Sequence, residues 1–304
     1  MQQGIYHVPV MLDEVIEGLN IHPSGIYVDC TFGGGGHSKV ILDKLNKDGK
    51  LIAFDQDEDA KKNLPDDARI IFVPQNFRHL QKFIRLHKIK EVDGILADLG
   101  VSSYQFDKAD RGFSTRFDGA MDMRMDQRQS LLAMDVLKTY SEEKLHKIFE
   151  QYGEVTNSKT LARTIVEQRT KTSMQTITDF KNAVHAIVKG NPNKYFAQVF
   201  QALRIEVNDE LESLKEMLQQ STDVLKEGGR IAVITFHSLE DRIVKNFFKG
   251  VDDEQTDEVY GTKNESPLHI ITKKPVIPGE EEIKRNTRAR SAKLRIAEKK
   301  KFKT

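Results

Sequence analysis

The sequence has a single cysteine, Cys30, which excludes an intrachain disulfide and a cysteine-rich metal site. It also lacks an apolar run long enough to cross a membrane. The first residues, Met1–Gly4, contain no basic region followed by an apolar segment, so we expect no signal peptide. Together these absences predict a protein of the reducing cytoplasm without a membrane association.

Charge is abundant but almost balanced, with a formal net charge of +1 and 31% charged residues. The balance hides an asymmetry, because residues 284–304 hold ten Lys and Arg residues against the one acid Glu298. The rest of the chain is therefore net acidic. A basic segment on an acidic body indicates a local anionic partner, although the last lysines are equally typical of a solvated terminus.

The most informative segment is an apolar strand that leads into a glycine cluster. Ile26–Cys30 has the composition of a buried strand, Gly33–Gly36 follow, and a helical pattern runs from Ser38 to Leu45. Glycine allows positive φ and close backbone approach, and the first turn of a helix presents unpaired N–H groups. This order predicts a loop at the carboxyl end of the first strand that binds a nucleotide-like cofactor.

The glycine spacing argues against a dinucleotide. A G-x-G-x-x-G motif that starts at Gly33 and Gly35 requires Gly or Ala at position 38, where Ser38 stands. An S-adenosylmethionine (SAM) site is the alternative, since SAM has no pyrophosphate and needs backbone contacts and a carboxylate for its ribose. A plain strand–helix turn remains the third interpretation.

Strands and helices alternate around this motif, which predicts an α/β fold with a mostly parallel sheet. A short helix is predicted over Met11–Leu19, and the last two strands are expected to be antiparallel. The further predicted strands are Leu51–Phe54, Ile70–Val73, Gly94–Ala97, Arg230–Phe236, Leu268–Thr272 and Lys293–Ala297.

The alternation stops in the middle of the chain. Asp107–Gln129 has no strand character, and successive helical patterns follow up to Lys189. We interpret residues 107–195 as a helical insert that recognises the substrate. Residues 1–106 and 196–304 then form a discontinuous cofactor-binding domain, in which Phe196–Gln220 is predicted to be one long helix.

Two residues after the second and third strands are candidates for cofactor contacts. Asp55 ends the second strand, where a carboxylate can accept both hydroxyls of a ribose. Its alternative role is to cap a turn, and the neighbouring Asp57 is expected to be exposed. Phe77 follows the third strand and is suited either to stacking on an adenine or to packing as the first apolar residue of a helix.

Asp98 ends the fourth strand, which would flank the first strand at the switch point of the sheet. Ligands of open parallel sheets bind at this edge, so Asp98 is expected near both cofactor and substrate. Ser102 and Gln105 offer hydrogen bonds on the adjoining loop. His237, after the fifth strand, is a candidate for acid–base chemistry or for a structural hydrogen bond, and Ser238 for the cap of the next helix. No metal triad is expected.

Several segments, in order along nearly the whole chain, resemble one family. That family is the RsmH (MraW) class of bacterial small-subunit rRNA cytosine-N4 methyltransferases. The segments that carry the resemblance are His7–Met11, Asp29–Ser38, Asp93–Ser103, Arg111–Ser114, Met121–Asp126, Phe200–Asn208, Thr235–Arg242 and Arg288–Arg295.

The resemblance implies a class I SAM-dependent methyltransferase fold, Rossmann-like, with a seven-stranded sheet and an inserted helical domain. It implies methylation of N4 of a cytosine in the decoding region (P site) of 16S rRNA, without a metal, and allows a homodimer. From their positions after the fourth and fifth predicted strands, the candidate catalytic residues are Asp98, Ser102 and His237. The implied SAM contacts are Gly35, Gly36, His37, Asp55, Phe77, Asp98 and Gln105.

Three alternatives remain open at this point. A SAM methyltransferase for another RNA base would carry the same cofactor motifs. A non-catalytic rRNA-binding assembly factor would keep the fold without the reaction. A nicotinamide-dependent oxidoreductase would share the sheet, and stabilisation by SAM or by NAD would separate it from a methyltransferase.

Overall fold

The structure is a computed structural model that describes residues 9–251 and 266–301. His7 and Val8 of the first family-like segment lie outside the described residues. The chain divides into two compact units, one formed by Met1–Gly100 with Glu212–Thr304 and the other by Val101–Leu211. The predicted insert, residues 107–195, falls within the second unit.

The first unit is built around a seven-stranded sheet in the order β3-β2-β1-β4-β5-β7-β6. β3, β2, β1, β4 and β5 are parallel, and β7 pairs antiparallel with both β5 and β6. This confirms the expected α/β class I fold with an antiparallel end. The strands are β1 Ile26–Asp29, β2 Lys50–Phe54, β3 Ile70–Val73, β4 Val92–Asp98, β5 Leu225–Thr235, β6 Leu268–Ile270 and β7 Lys293–Lys299.

Helices cover both faces of this sheet. One core joins apolar residues of the sheet to α1 and α2, and another joins the opposite face to α3, α10 and α11. Strands such as β4, whose central residues are buried on both faces, are therefore almost continuously apolar. The helices of this part of the chain are α1 Leu12–Leu19, α2 Gly36–Lys44, α3 Leu80–Leu86, α10 Glu210–Val224, α11 Ser238–Lys249 and α12 Glu280–Arg285.

The second unit is helical and has its own apolar core. Buried Asn208 connects its last helix to an irregular segment, because its amide donates to Met123 O at 2.7 Å and accepts from Met125 N at 2.7 Å. The helices are α4 Ser103–Asp107, α5 Ala133–Thr139, α6 Glu142–Gln151, α7 Ser158–Gln168, α8 Ile177–Val184 and α9 Pro192–Asn208.

Two sequence-based predictions of elements are wrong. The single helix expected over Phe196–Gln220 is broken into α9 and α10, because Asp209 adopts φ 49° and ends α9. The fifth strand begins earlier than expected and runs through Gly228-Gly229, with Gly228 at φ 77° and an irregular register opposite β4. Glycine here marks an irregular strand rather than its start.

Among the described residues, no helix has the length and apolar character needed to span a membrane.

Candidate active site

The carboxyl ends of β1, β2 and β4 lie side by side and bring three aspartates to one edge of the sheet. Asp29 ends β1, Asp55 follows β2, and Asp98 ends β4. The loop from β1 to α2 contains the glycine cluster, so the strand order alone places the predicted loop beside the predicted carboxylates.

The loop is held to β1 by a buried hydrogen bond. Ser38 Oγ donates to Asp29 Oδ2 at 2.7 Å, and Thr31 N donates to Asp29 Oδ1 at 3.0 Å. Burial raises the pKa of Asp29, and these hydrogen bonds oppose that shift. The serine that breaks the dinucleotide spacing therefore has a structural purpose here, because glycine at position 38 would leave the buried carboxylate short of a donor.

The glycines of the loop are required for different reasons. Gly35 has φ 75° and precedes α2, and a Cβ there would lie 2.9 Å from the ring of Phe32. A Cβ on Gly36 would lie 2.8 Å from Pro9. Gly34 is exposed, and a Cβ there would meet nothing within 4 Å. Packing thus accounts for Gly35 and Gly36, whereas Gly34 faces open space.

Asp55 holds the glycine loop as well as the end of β2. Its carboxylate accepts hydrogen bonds from Gly33 N at 2.7 Å and from Asp57 N at 2.8 Å. Burial nevertheless raises the pKa of Asp55 to about 7, with smaller contributions from the charges of Asp57 and Asp29. Asp57 was expected to be exposed, which is wrong. Its side chain is buried and accepts from Asp59 N at the start of a 3₁₀ turn.

Asp98 differs from the other two aspartates in having an oxygen without a partner. Its backbone N donates to Thr31 Oγ1 at 2.7 Å, which fixes the end of β4 against β1. Oδ1 is inaccessible to solvent and has no hydrogen-bond partner among the described residues. Burial, followed by the charges of Asp29, Glu240 and Glu282, raises the pKa of Asp98 well above its usual value. The side chain as a whole is 24% exposed, so a donor on a ligand can approach this carboxylate.

His37 lies between the loop and Asp98. Its Nε2 is 2.9 Å from Val10 O and therefore carries the proton, which leaves Nδ1 unprotonated in the neutral ring. Nδ1 lies 3.8 Å from Asp98 Oδ2. Burial lowers the pKa of His37 and favours the neutral ring, although the charge of Asp29 acts in the opposite direction. The neutral ring therefore faces Asp98 across a gap longer than a hydrogen bond.

Phe77 and His237 are also in the first unit. Phe77 opens a 3₁₀ turn after β3 and is half-buried against the core, so one part of the ring stays accessible. His237 caps α11, since its Nδ1 accepts from Glu240 N at 3.4 Å and its Nε2 lies 3.1 Å from Glu240 Oε1. The cap was expected at Ser238, which is instead the first residue of α11. Catalysis by His237 remains a prediction.

Ser102 and Gln105 belong to the second unit, where they form a capping box. Ser102 Oγ accepts from Gln105 N at 3.2 Å, and Gln105 Oε1 accepts from Ser102 N at 3.1 Å. These reciprocal bonds begin α4. They give both residues a local structural role, and the predicted roles in catalysis and SAM binding remain predictions.

Sequence reasoning missed several residues that shape this site. Thr31 and Ser38 hydrogen-bond to Asp29, and Thr31 also accepts from the backbone N of Asp98. The sequence signal that could have identified them is a hydroxyl residue a few positions after an acid that ends a strand. Glu240 is 2% exposed, and its Oε2 accepts from Phe236 N at 2.8 Å. Glu282 accepts from Met11 N at 2.8 Å. No sequence signal links Glu282 to the site, because 184 positions separate it from Asp98.

The electrostatics of the site favour a cationic ligand over a pyrophosphate. The charges of Asp57 and Asp29 raise the pKa of Asp55, and those of Asp29, Glu240 and Glu282 raise the pKa of Asp98, so acidic side chains gather at this edge of the sheet. A pyrophosphate would be repelled by this set, which disfavours the nicotinamide alternative. The sulfonium of SAM would be attracted, and the first N–H groups of α2 and the clearance at Gly34 suit its amino-acid end. The residues present therefore fit SAM.

The single cysteine is not a nucleophile. Cys30 is buried, and burial with the nearby charge of Asp29 raises its thiol pKa well above the usual value. Its side chain belongs to the core beside β1.

Comparison with known proteins identifies relatives along the whole chain. Residues 4–300 match the model of the MraW methylase family. Ribosomal RNA small subunit methyltransferase H of Bacteroides thetaiotaomicron is 53% identical over 97% of this chain and 98% of its own. The protein of the same name from Azobacteroides pseudotrichonymphae is 54% identical over 97% of each chain.

Solved structures are more distant. A structure described as a putative rRNA methylase from Clostridium thermocellum covers 95% of this chain and 94% of its own, with 12% identity and a TM-score of 0.44. This similarity is too low to transfer the role of any residue.

Proposed function

The chain belongs to the MraW methylase family, and we propose that it transfers a methyl group from SAM to the exocyclic N4 of a cytosine in the decoding region of 16S rRNA. The observation that carries the proposal is the unpartnered Oδ1 of Asp98 at the end of β4. It lies beside a loop whose acidic surroundings fit a sulfonium.

When bound, SAM supplies an electrophilic methyl group. The exocyclic amine of cytosine is a weak nucleophile, because its lone pair is delocalised into the ring. Asp98 accepts a hydrogen bond from this amine, which orients the nitrogen and increases its electron density. After transfer the nitrogen carries one proton too many. Asp98 is placed to hold that proton because its pKa is raised.

The remaining residues of the site bind and orient the cofactor in this proposal. Asp55 accepts the ribose hydroxyls while it keeps Gly33 in place. The backbone of Gly35, Gly36 and His37 holds the amino-acid end, and the accessible part of Phe77 contacts the adenine. Ser102 and Gln105 directly follow β4 in the chain, and we propose Ser102 for catalysis and Gln105 for SAM binding.

The target base must leave its stack to reach Asp98, since the amine of a paired cytosine is not accessible for in-line attack. The second unit and the basic segment after Glu282 are the proposed RNA surfaces. We place the enzyme in the cytoplasm, where its substrate is made. A homodimer is also proposed, and light scattering of the purified protein tests it.

The experiment uses small ribosomal subunits that lack the modification, together with tritiated SAM. The proposal expects label in 16S rRNA, recovered as N4-methylcytidine after digestion. Label in another nucleoside would support the alternative RNA base. Binding of the subunits without any incorporated label would support the assembly factor.

A further inference from the structure

A cavity beside the end of β5 is lined by His237, a candidate catalytic residue, but by none of the aspartates described above. It has a volume of about 310 Å³, at the lower end of the range of about 300–1,000 Å³ for small-molecule sites. It is open to solvent on one side and is lined by residues from the end of β5 and the start of α11, from around α12, and from the start of β7. The lining includes Phe236, Ile277, Ile283, Arg290 and Lys293.

The lining combines an apolar surface with positive charge, which together match the base and the phosphate of a nucleotide. Phe236, Ile277 and Ile283 provide an apolar surface, and Ile277 is 66% exposed although it is a large hydrophobic residue. Arg290 and Lys293 provide positive charge at the same cavity. A planar base suits the first surface and a phosphate the second.

Arg290 is the cation that is free to bind a ligand. Lys293 is engaged by Asp241, with Nζ 3.3 Å from Oδ2. Arg290 is exposed, and among the described residues it makes no ion pair or hydrogen bond. An unengaged guanidinium at a cavity is well suited to bidentate contact with a phosphate.

The cavity is next to the proposed reaction site. Leu99 N, one residue after Asp98, donates to Ile234 O of β5, and a Cβ on Gly100 would lie 3.4 Å from the ring of Phe236. Glu282, the neighbour of Ile283, is close enough to Asp98 to raise its pKa. A ligand in this cavity would therefore lie close to a base presented to Asp98.

We propose that this cavity binds a nucleotide that flanks the target cytosine in the RNA substrate, with its phosphate on Arg290 and its base against Phe236 and Ile277. The inference rests on the proposed function, since it takes RNA as the substrate. In this proposal two adjacent surfaces of opposite charge bind the two ligands. The acidic surface binds the cationic methyl donor, and the basic surface binds the anionic RNA.

The protein contains no tryptophan, which allows a direct test by fluorescence. Ile277→Trp places the only indole at the cavity, and Leu86→Trp is a matched control because Leu86 is also 66% exposed. Addition of a short cytidine-rich single-stranded RNA is expected to quench the Ile277→Trp protein and to leave the Leu86→Trp protein unchanged. Equal quenching of both proteins, or of neither, would overturn the proposal.

A second experiment measures catalysis. Arg290→Ala is expected to raise KM for small subunits that lack the modification by about tenfold, the effect of one charge-assisted hydrogen bond, with unchanged kcat and unchanged SAM affinity. Arg85→Ala is the control, because Arg85 is exposed on α3 and its side chain makes no hydrogen bond or ion pair among the described residues. Equal KM values for the two variants would contradict the proposal for the cavity alone. Absence of methylation by the unmodified protein would instead contradict the proposed function.

Discussion

Binding of a ribose-bearing ligand is expected to depend on pH through Asp55, whose pKa burial raises to about 7. An ionised carboxylate accepts from two ribose hydroxyls, whereas a protonated one must use an oxygen as donor. If only the ionised form binds, affinity follows the ionised fraction, which is about nine tenths at pH 8 and about one tenth at pH 6. Affinity should therefore fall about tenfold between pH 8 and pH 6.

The assay is calorimetric titration with 5′-methylthioadenosine, which retains the ribose but has neither the sulfonium charge nor the titratable amine of SAM. Asp55→Asn is the control, because its side chain does not ionise, and its affinity should be weaker and independent of pH. Equal pH dependence in both proteins, or a constant affinity in the unmodified protein, would refute the assignment of the ribose to Asp55.

The raised pKa of Asp55 also predicts that the stability of the free protein depends on pH. Since the pKa of Asp55 is higher in the folded protein than the usual 3.8, ionisation destabilises the fold, and the cost develops as pH rises from about 4 to 7. A rise of the pKa from 3.8 to about 7 corresponds to roughly 4 kcal/mol. Asn at this position removes that cost but leaves Gly33 N or Asp57 N without an acceptor, at about 1–3 kcal/mol. Asp55→Asn should thus stabilise the free protein at pH 8 by roughly 1–3 kcal/mol and not at pH 4, as measured by urea unfolding.

The other predictions concern the loop and Asp98. Gly35→Ala should lower the free energy of unfolding by about 1–3 kcal/mol, because φ is 75° and the new Cβ would clash with Phe32. Gly34→Ala should change the free energy of unfolding by less than about 0.5 kcal/mol, because its Cβ would meet no neighbour. Similar losses for the two variants in urea unfolding would contradict this packing of the loop. Ser38→Gly restores the dinucleotide spacing, yet thermal shift should still detect stabilisation by SAM and none by NAD, and stabilisation by NAD would contradict the electrostatic argument. Asp98→Asn should reduce the single-turnover methylation rate at saturating SAM by about 10²–10⁴-fold, and an unchanged rate would remove Asp98 from the chemistry.

The strands and the glycine loop were predictable because their patterns are local. β3 has the predicted bounds. The apolar run before Asp98 identified β4, because a strand that is buried on both faces is apolar along most of its length. Strand order then follows from the class of fold, and it brings Asp29, Asp55 and Asp98 together at one edge.

The details that decide the chemistry are not local. The break at Asp209 depends on a left-handed residue that helical periodicity does not reveal. The burial of Asp57 depends on the turn that it caps. The unpartnered oxygen of Asp98, and the influence of Glu282 on its pKa, arise from packing between distant segments. These features required the structure.

The most direct test of the proposed N4-methylation is to identify the nucleoside that receives the methyl group. Tritiated SAM, the purified protein and small subunits that lack the modification should give label in 16S rRNA that co-migrates with N4-methylcytidine, and Asp98→Asn should abolish most of it. Label in a different nucleoside, or no label above a control without enzyme, would contradict the proposed reaction.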